Sequence, residues 1–422
     1  MVECSGVDDK LLVLVDAPMP VPATPPGAAR VSVLDFHADP SGVKDSTAAI
    51  QHALDVPKTT LVLVPAGRFM TTDTLVVRSN TTLFLQAGAV IRSTSNRSRL
   101  PKPRGSCTGN LVSMMSLAPG AQNVAITGLG RLDANGFQLM QRDVTGNCSA
   151  AKGWLHRRRV LDSASGGTAH RDIAISGIVL ADSTTWTLAI EDVDNMVVNR
   201  VKVLNHKNVT QAKIENDGLD LISTRDAVVS WNFVITVDDA MCAKASSTAV
   251  RNVVFSDNVV FSSCGGNKAG MQANAPFGDV RFVRTDVLHA RRGIIVQSTT
   301  GDHTMRGVEF RDVVVENLDV SDGHTPITPV AILADSSSIS NVSVVDCILP
   351  RAPTGSRDGA MGEIEGGAKS KRTTVTGVSF TNVSFDGKCV ASAEGFRGCE
   401  WVNACLSVKK LPVLALNFGW RR

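Results

Sequence analysis

The sequence contains no tyrosine, and phenylalanine and tryptophan bring the aromatic share to only 5 % of 422 residues. A core with few rings must rely on small and β-branched side chains, and the 35 glycines suit a chain that turns often. Charge of one sign is also missing. The 43 Lys and Arg residues against 40 Asp and Glu leave a net +3, so no basic surplus points to nucleic acid. The nine cysteines form no C-x-x-C pair, which argues against a structural zinc site. An odd count leaves at least one free thiol, and Cys389, Cys399 and Cys405, grouped in a turn-rich tail, have room for one bridge. No apolar run approaches membrane-spanning length. The start, MVECSGVDDKLLVLVDAPMP, lacks the basic n-region and full apolar h-region of a signal peptide. Six N-x-[ST] triplets, at Asn80, Asn96, Asn147, Asn208, Asn341 and Asn382, fit a glycosylated extracellular protein, although a Ser/Thr/Asn-rich repeat also produces such triplets by chance.

What the sequence does have is a returning unit. Asn, Asp or Gly opens it, alternating apolar residues follow, then a polar turn and a second apolar run. It recurs from Asn123, Asp172, Asn195, Asp226, Asn252, Asp279, Gly307, Asn341 and Gly377, at intervals of 23–36 residues after the first. That first interval is about twice as long, which implies a degenerate coil or an inserted loop. One such unit cannot bury its apolar face alone, so the units must stack. β-branched richness and the lack of a long helical pattern exclude helical and leucine-rich repeats. The fold class expected is all-β: a single-stranded, right-handed parallel β-helix. Residues 1–30 read as an extended, Pro/Ala-rich lead-in, 31–388 as the β-helix, and 389–422 as a Cys-containing tail or cap. A helix at Asp45–Leu54, capped near Asp45 or Ser46 with Ala48, Ala49, Ala53 and Leu54 on one face, closes the N-terminal end. Residues 93–118 and 136–171 interrupt the beat and read as loops flanking a groove. The second holds Cys148, Trp154 and the basic run His156–Arg159, which reads either as a solvated turn or as a contact to an acidic sugar.

The stretch from Glu215 to Lys244, ENDGLDLISTRDAVVSWNFVITVDDAMCAK, carries Asp217, Asp220 and the pair Asp238–Asp239. Asp217 and Asp238 lie 21 residues apart, about one coil, so winding the chain once brings them together. Clustered carboxylates on a rigid sheet are the equipment for acid/base work on a glycosidic bond. Asp is also a common turn residue that caps backbone N–H groups, which is the plainer reading of each one singly. Adjacent strand residues point to opposite faces, so Asp238 and Asp239 need a bend to share one cleft. Crowding should also raise one of the pKa values.

VSVLDFHADPSGVKDSTAAIQHAL, VPAGRFMTTDTLVVRSNTTLFLQAGAVI and NVAITGLGRLDANG, in that order, look like the polygalacturonase-type glycosidases (glycoside hydrolase family 28 and its pectin-lyase-like relatives). The likeness runs from about Val31 to about Phe385. TTWTLAIEDVDNMVVNRVKV, from Thr184, resembles the family's Trp-Thr strand. ENDGLDL matches its Asn-Thr-Asp-Gly motif at Asp217 and Gly218 only. VDDAMCAK matches its Gly-Asp-Asp motif at Asp238 and Asp239, with Val237 in place of Gly and Lys244 retained. GGNKAGMQAN, from Gly265, stands where the family has Gly-His-Gly, and HARRGIIVQS puts Ile295 and Gln297 in its Arg and Lys places. The family uses that Arg and Lys to bind a galacturonate carboxylate, so their loss puts the substrate in question more than the reaction.

The resemblance implies that Asp238 donates the proton and that Asp217 and Asp239 hold the attacking water. Lys244, Lys268, His289 and Arg292 are the candidate substrate contacts, with Arg291 a further substitute cation. Trp186 and Trp231 read equally well as sugar platforms or as packing. The expectation is a secreted, monomeric, inverting polysaccharide hydrolase that needs no cofactor or metal and has no nucleic-acid or membrane partner. Two alternatives stand beside it: a calcium-dependent polysaccharide lyase and a β-helix that binds glycan without turnover.

Overall fold

A computed structural model describes residues 15–24, 29–57, 59–96, 99–100, 112–141, 158–163, 168–205, 215–318, 327–352, 362–366, 373–389 and 400–402. The strands form two sheets of 21 and 13 members. Every pairing is parallel except that of the short terminal strand Lys388–Cys389 with Ser384–Phe385. The chain is a right-handed parallel β-helix, as expected.

The residues that open the repeat explain the winding. Asn123, Asp172, Asn195, Asp226, Asn252, Asp279 and Asn341 all have φ between 51° and 63°, and Gly307 and Gly377 have 68° and 61°. Asn, Asp and Gly tolerate this left-handed conformation, which most side chains resist. Each turn therefore repeats at the same place in each coil, and its side chains stack: Asn195 Nδ2 donates to Asp172 Oδ1 at 2.6 Å and Asn252 Nδ2 to Asp226 Oδ1 at 2.8 Å. A second left-handed column, including Arg200, Trp231, Asp257, Arg284, Asp312, Asp346 and Asn382, turns the chain toward the smaller sheet.

Inside, apolar residues at successive coils pack in columns. The rings of Phe255, Phe282 and Phe310 stack at 4.6 and 5.1 Å within 8° of parallel. The helix spans Thr47–Asp55 and buries Ile50, Ala53 and Leu54, while Ala48, placed on that face by the sequence reading, is exposed. Ser46 occupies the N-cap position, but its hydroxyl accepts from the Asp39 N–H. Asp45 takes over the capping, accepting from Thr47 N at 2.9 Å. The lead-in lies against the outside of the first coils. Met19 and Val21 pack on Leu61, Leu63 and Phe84, and the Asp16 carboxylate pairs with Lys202.

The long first interval is one coil with an insertion, because His170–Ser176 pairs directly with Gln122–Gly128. The helix Gly136–Gln141 belongs to that insertion, whereas Arg158–Ser163, in a stretch expected as loop, is a regular rung between Val112–Leu117 and Leu188–Asn199. Cys148, Trp154, His156, Arg157, Cys399 and Cys405 lie outside the described residues. Cys242, Cys264 and Cys347 are free thiols. Among the described residues no helix is long and apolar enough to cross a membrane.

Candidate functional site

The carboxylates sit where two successive coils begin their strands. Leu188–Asn199, Leu219–Ser230, Met241–Ala245 and Gly265–Ala273 are neighbours in the larger sheet. Their register aligns Ala189, Asp220, Cys242, Lys268, Ile295, Ala331 and Glu363 in one column across the face. Just upstream, Thr187 N donates to Asp217 O at 2.8 Å, Gly218 N to Asp239 O at 2.8 Å and Ala240 N to Gly265 O at 2.7 Å. These rungs stack Asp217 against Asp239, and Asp239 against Gly265. The chain bends at Val237 and Asp238 before the strand starts, and Asp239 N donates to its neighbour's Oδ1 at 2.9 Å.

The carboxylates were expected to share a cleft, and the structure corrects this by burying all but one of them. Asp217 and Asp239 are each only 3 % exposed, Asp220 is fully buried, and Asp238 alone of the four is partly exposed. Lysines make this burial tolerable. Lys244 Nζ lies 2.8 Å from Asp217 and 2.9 Å from Asp220, and Lys268 Nζ lies 2.6 Å from Asp239. The Lys244 ammonium also sits 3.7 Å from the centre of the Trp186 ring, and the Arg159 guanidinium lies 5.0 Å from the same ring. A cation against an aromatic face keeps part of the stabilisation it loses on leaving water.

The charges divide unevenly. Burial and then the charge of Asp239 push Asp238 up to about 7. Burial works to raise Asp239 too, yet the ammonium of Lys268, with help from Lys244 and the Cys264 thiol, more than offsets it and holds Asp239 below the ordinary carboxylate value. Asp217 and Asp220 share one ammonium between two carboxylates, so burial drives both upward, Asp217 well above its usual value. Two neighbouring residues thus have opposite preferences: Asp238 tends to keep a proton and Asp239 to lose one.

The four candidate substrate contacts are placed as follows. Lys244 and Lys268 are buried in the ion pairs above. Arg292 is paired at 3.7 Å with Glu363 across the same face. The His289 ring stacks on Phe261 at 4.6 Å. Arg291 is buried, and its N–H donates to Cys264 O at 2.8 Å. Ile295 is buried, and Gln297 donates to Asp335 Oδ2 at 3.0 Å. Trp186 belongs to the site, whereas Trp231, 57 % exposed, sits past the other end of the strand Leu219–Ser230.

Sequence reasoning missed the polar network beneath the site. Asn205 Nδ2 donates to Thr187 Oγ1 at 2.7 Å and to Thr236 Oγ1 at 3.2 Å. Thr236 Oγ1 donates to Asn216 O, and Val237 N donates to Asn216 Oδ1 at 3.1 Å. These buried groups tie the turn before Asp217 to the turn before Asp238 over adjacent rungs, which fixes both carboxylates. Asp220 was visible as a carboxylate, but only the rung register shows that it shares Lys244. Ser262 Oγ, which donates to Asp238 O at 2.6 Å, gave no signal at all.

Two groups bring ligand-type atoms within 4.8 Å of one another: Asp217, Asp220 and Cys242, and Asp238, Asp239 and Cys264. In each, a lysine ammonium already supplies the positive charge at hydrogen-bond distance. Calcium takes six to eight oxygen ligands, more than either group offers.

Residues 30–99 match the family model described as rhamnogalacturonase A/epimerase, pectate lyase-like. No curated protein matches the chain. Among solved structures, the family 28 exopolygalacturonase of Yersinia enterocolitica superposes with a TM-score of 0.65 at 18 % identity, covering 85 % of this chain and 71 % of that one. The polygalacturonase of Erwinia carotovora ssp. carotovora gives 0.61 at 15 % identity, covering 94 % and 99 %. A tailspike protein of E. coli bacteriophage HK620 gives 0.58 at 14 %, covering 88 % and 65 %. Identities this low establish the fold, which these proteins share.

Proposed function

We propose that this chain, whose fold is that of the family 28 polygalacturonases, is a glycoside hydrolase that cleaves a polysaccharide by acid/base catalysis with inversion. The observation that carries this reading is the split between Asp238 and Asp239. Asp238, pushed up to about 7 and partly exposed, is the proton donor to the leaving oxygen. Asp239, held ionised by Lys268, is the base toward water. Asp217, fixed by Lys244 one rung away, positions that water. Acid/base hydrolysis needs this pairing of a protonated acid with an ionised base. Inverting pairs usually stand roughly 6.5–9.5 Å apart, whereas oxygens of Asp238 and Asp239 come within 4.8 Å. The anomer first released therefore decides that part of the reading.

The substrate we infer is a neutral or mixed glycan. A polygalacturonate subsite needs a cation for each sugar carboxylate, because a charge-assisted pair is roughly twice as strong as a neutral hydrogen bond. Here Lys244, Lys268 and Arg292 each already face a carboxylate of the chain itself, and Ile295 and Gln297 carry no charge. The test is a panel of polygalacturonate and dextran-, galactan- and rhamnogalacturonan-type polymers, read by new reducing ends and by the anomer first released. Inverted product from a neutral or mixed polymer is expected. An unsaturated, UV-absorbing uronate would instead mean lyase chemistry. Fast turnover of polygalacturonate that persists in Lys268→Ala and Arg292→Ala would overturn the substrate assignment. The burial of Asp217 and Asp239 favours one second reading, glycan binding without turnover, which a binding isotherm with no product on any polymer would support.

A further inference from the structure

Gly265 and Lys268 occupy one strand and address the two oxygens of the same carboxylate. Lys268 Nζ holds Asp239 Oδ2 at 2.6 Å. The other oxygen, Asp239 Oδ1, is buried without a hydrogen-bond partner and points at Gly265, where a Cβ would stand 2.3 Å from it. Ile295 Cδ1 walls the same spot, 2.7 Å from that missing Cβ. The glycine, having no Cβ, therefore lets Oδ1 sit close against its backbone, and the lysine, on the same strand one rung along from Asp239, fixes the rotation of the carboxylate.

We propose that Lys268 is a positioning residue, not a substrate contact: it holds Asp239 as an oriented carboxylate with Oδ1 seated against the Gly265 backbone. The role in turnover rests on the hydrolase reading above; the effect on Asp239 does not. The charged and titratable groups that face Asp239 are Asp238 beside it, Cys242 and Lys244 on the strand it leads into, Asp217 and Asp220 on the preceding rung, and Cys264 on the following turn. Of these, only Lys244 is a cation, and it is shared by Asp217 and Asp220. Removing the Lys268 charge leaves Asp239 buried among other carboxylates, the arrangement that raises a carboxyl pKa.

The experiment titrates full-length protein carrying 13C in the aspartate carboxyls, with Asp238→Asn and Asp239→Asn used to assign the two signals. In wild type, Asp239 should stay ionised below the ordinary carboxylate range. In Lys268→Met its titration should move up by about 1–3 pH units, the usual effect of an opposite charge at this range. Lys268→Arg, which keeps the charge, should hold it near the wild-type position. Lys268→Gln, with a polar side chain, provides the neutral variant if Lys268→Met does not fold. On any glycan that the wild type hydrolyses, the acid limb of kcat should move with Asp239 while the alkaline limb stays with Asp238. An Asp239 titration unchanged in both neutral variants would overturn the proposal whatever the activity. A moved titration in a protein that turns over no polymer would leave Lys268 as assigned and sink the hydrolase reading alone.

Discussion

Asp238 and Asp239 share a peptide bond, yet one faces the partly open side and the other a buried ammonium. Replacing Asp238 by Asn keeps the shape and removes the exchangeable proton, so kcat on a hydrolysed glycan should fall by about 100- to 10,000-fold, the usual contribution of a positioned acid. Substrate binding should change little. A kcat within a few-fold of wild type would remove Asp238 from the mechanism. Gly265→Ala tests the same place from the other side. A Cβ at 2.3 Å from Asp239 Oδ1 cannot be accommodated without moving the carboxylate. It should lower kcat while leaving the fold intact by circular dichroism, and normal turnover would show that the close approach of Asp239 to Gly265 is not needed. At this scale the sequence told part of the story. The carboxylates were legible because one coil separates Asp217 from Asp238. The lysines read as candidate substrate contacts, and their partners were not legible because the residue that neutralises each one lies a full coil away: Lys244 faces Asp217 and Asp220, and Lys268 faces Asp239.

Among the elements, the turns were the most legible part. Asn, Asp or Gly opened each unit because the left-handed turn admits few other residues, and every one of those openings has positive φ. The helix was found, with Ala53 and Leu54 buried as expected, but one residue of its buried face was misassigned. Ile50 rather than Ala48 points inward, since alanines alone do not mark which side of a short helix carries the contact. One strand contains a conflict that no sequence pattern reveals. Asn267, inside the coil beside Met241 and Ile294, is fully buried, and neither Oδ1 nor Nδ2 has a partner. A buried polar group left unsatisfied costs about 1–3 kcal/mol. Asn267→Leu, similar in size and without polar atoms, should therefore raise stability by about that amount, read as a higher urea midpoint with an unchanged slope. A lower midpoint would mean that the amide is satisfied in solution or that the site cannot hold two methyls.

Across the whole molecule, the same burial that shapes the site sets the response to pH. Asp217, Asp220, Asp238 and Asp162 all titrate above the ordinary carboxylate value because they are buried, Asp238 at about 7. The folded protein therefore binds more protons than the unfolded chain between about pH 4 and pH 7, and stability must fall as pH rises through that window. Surface carboxylates work the other way. Asp39, accepting from the backbone of Lys44 and Ser41, is lowered to about 2, and Asp194 and Asp257 are lowered by the guanidinium groups of Arg225 and Arg284. Their contribution is present above the ordinary carboxylate value and is lost as pH drops toward 2. The two sets meet at about pH 4, where the melting temperature should be highest, declining on both sides. Asp238→Asn deletes one of the buried groups that must give up its proton, so at neutral pH the variant should melt above wild type while being far less active. This is the pattern expected where a site is held in a destabilised state for its chemistry. Melting curves of both proteins from about pH 3 to about pH 8, at constant ionic strength, decide the matter. A wild-type melting temperature that climbs from about pH 4 to about pH 7, or an Asp238→Asn protein that melts lower than wild type at neutral pH, would mean that the buried carboxylates are not strained and that Asp238 does not hold its proton.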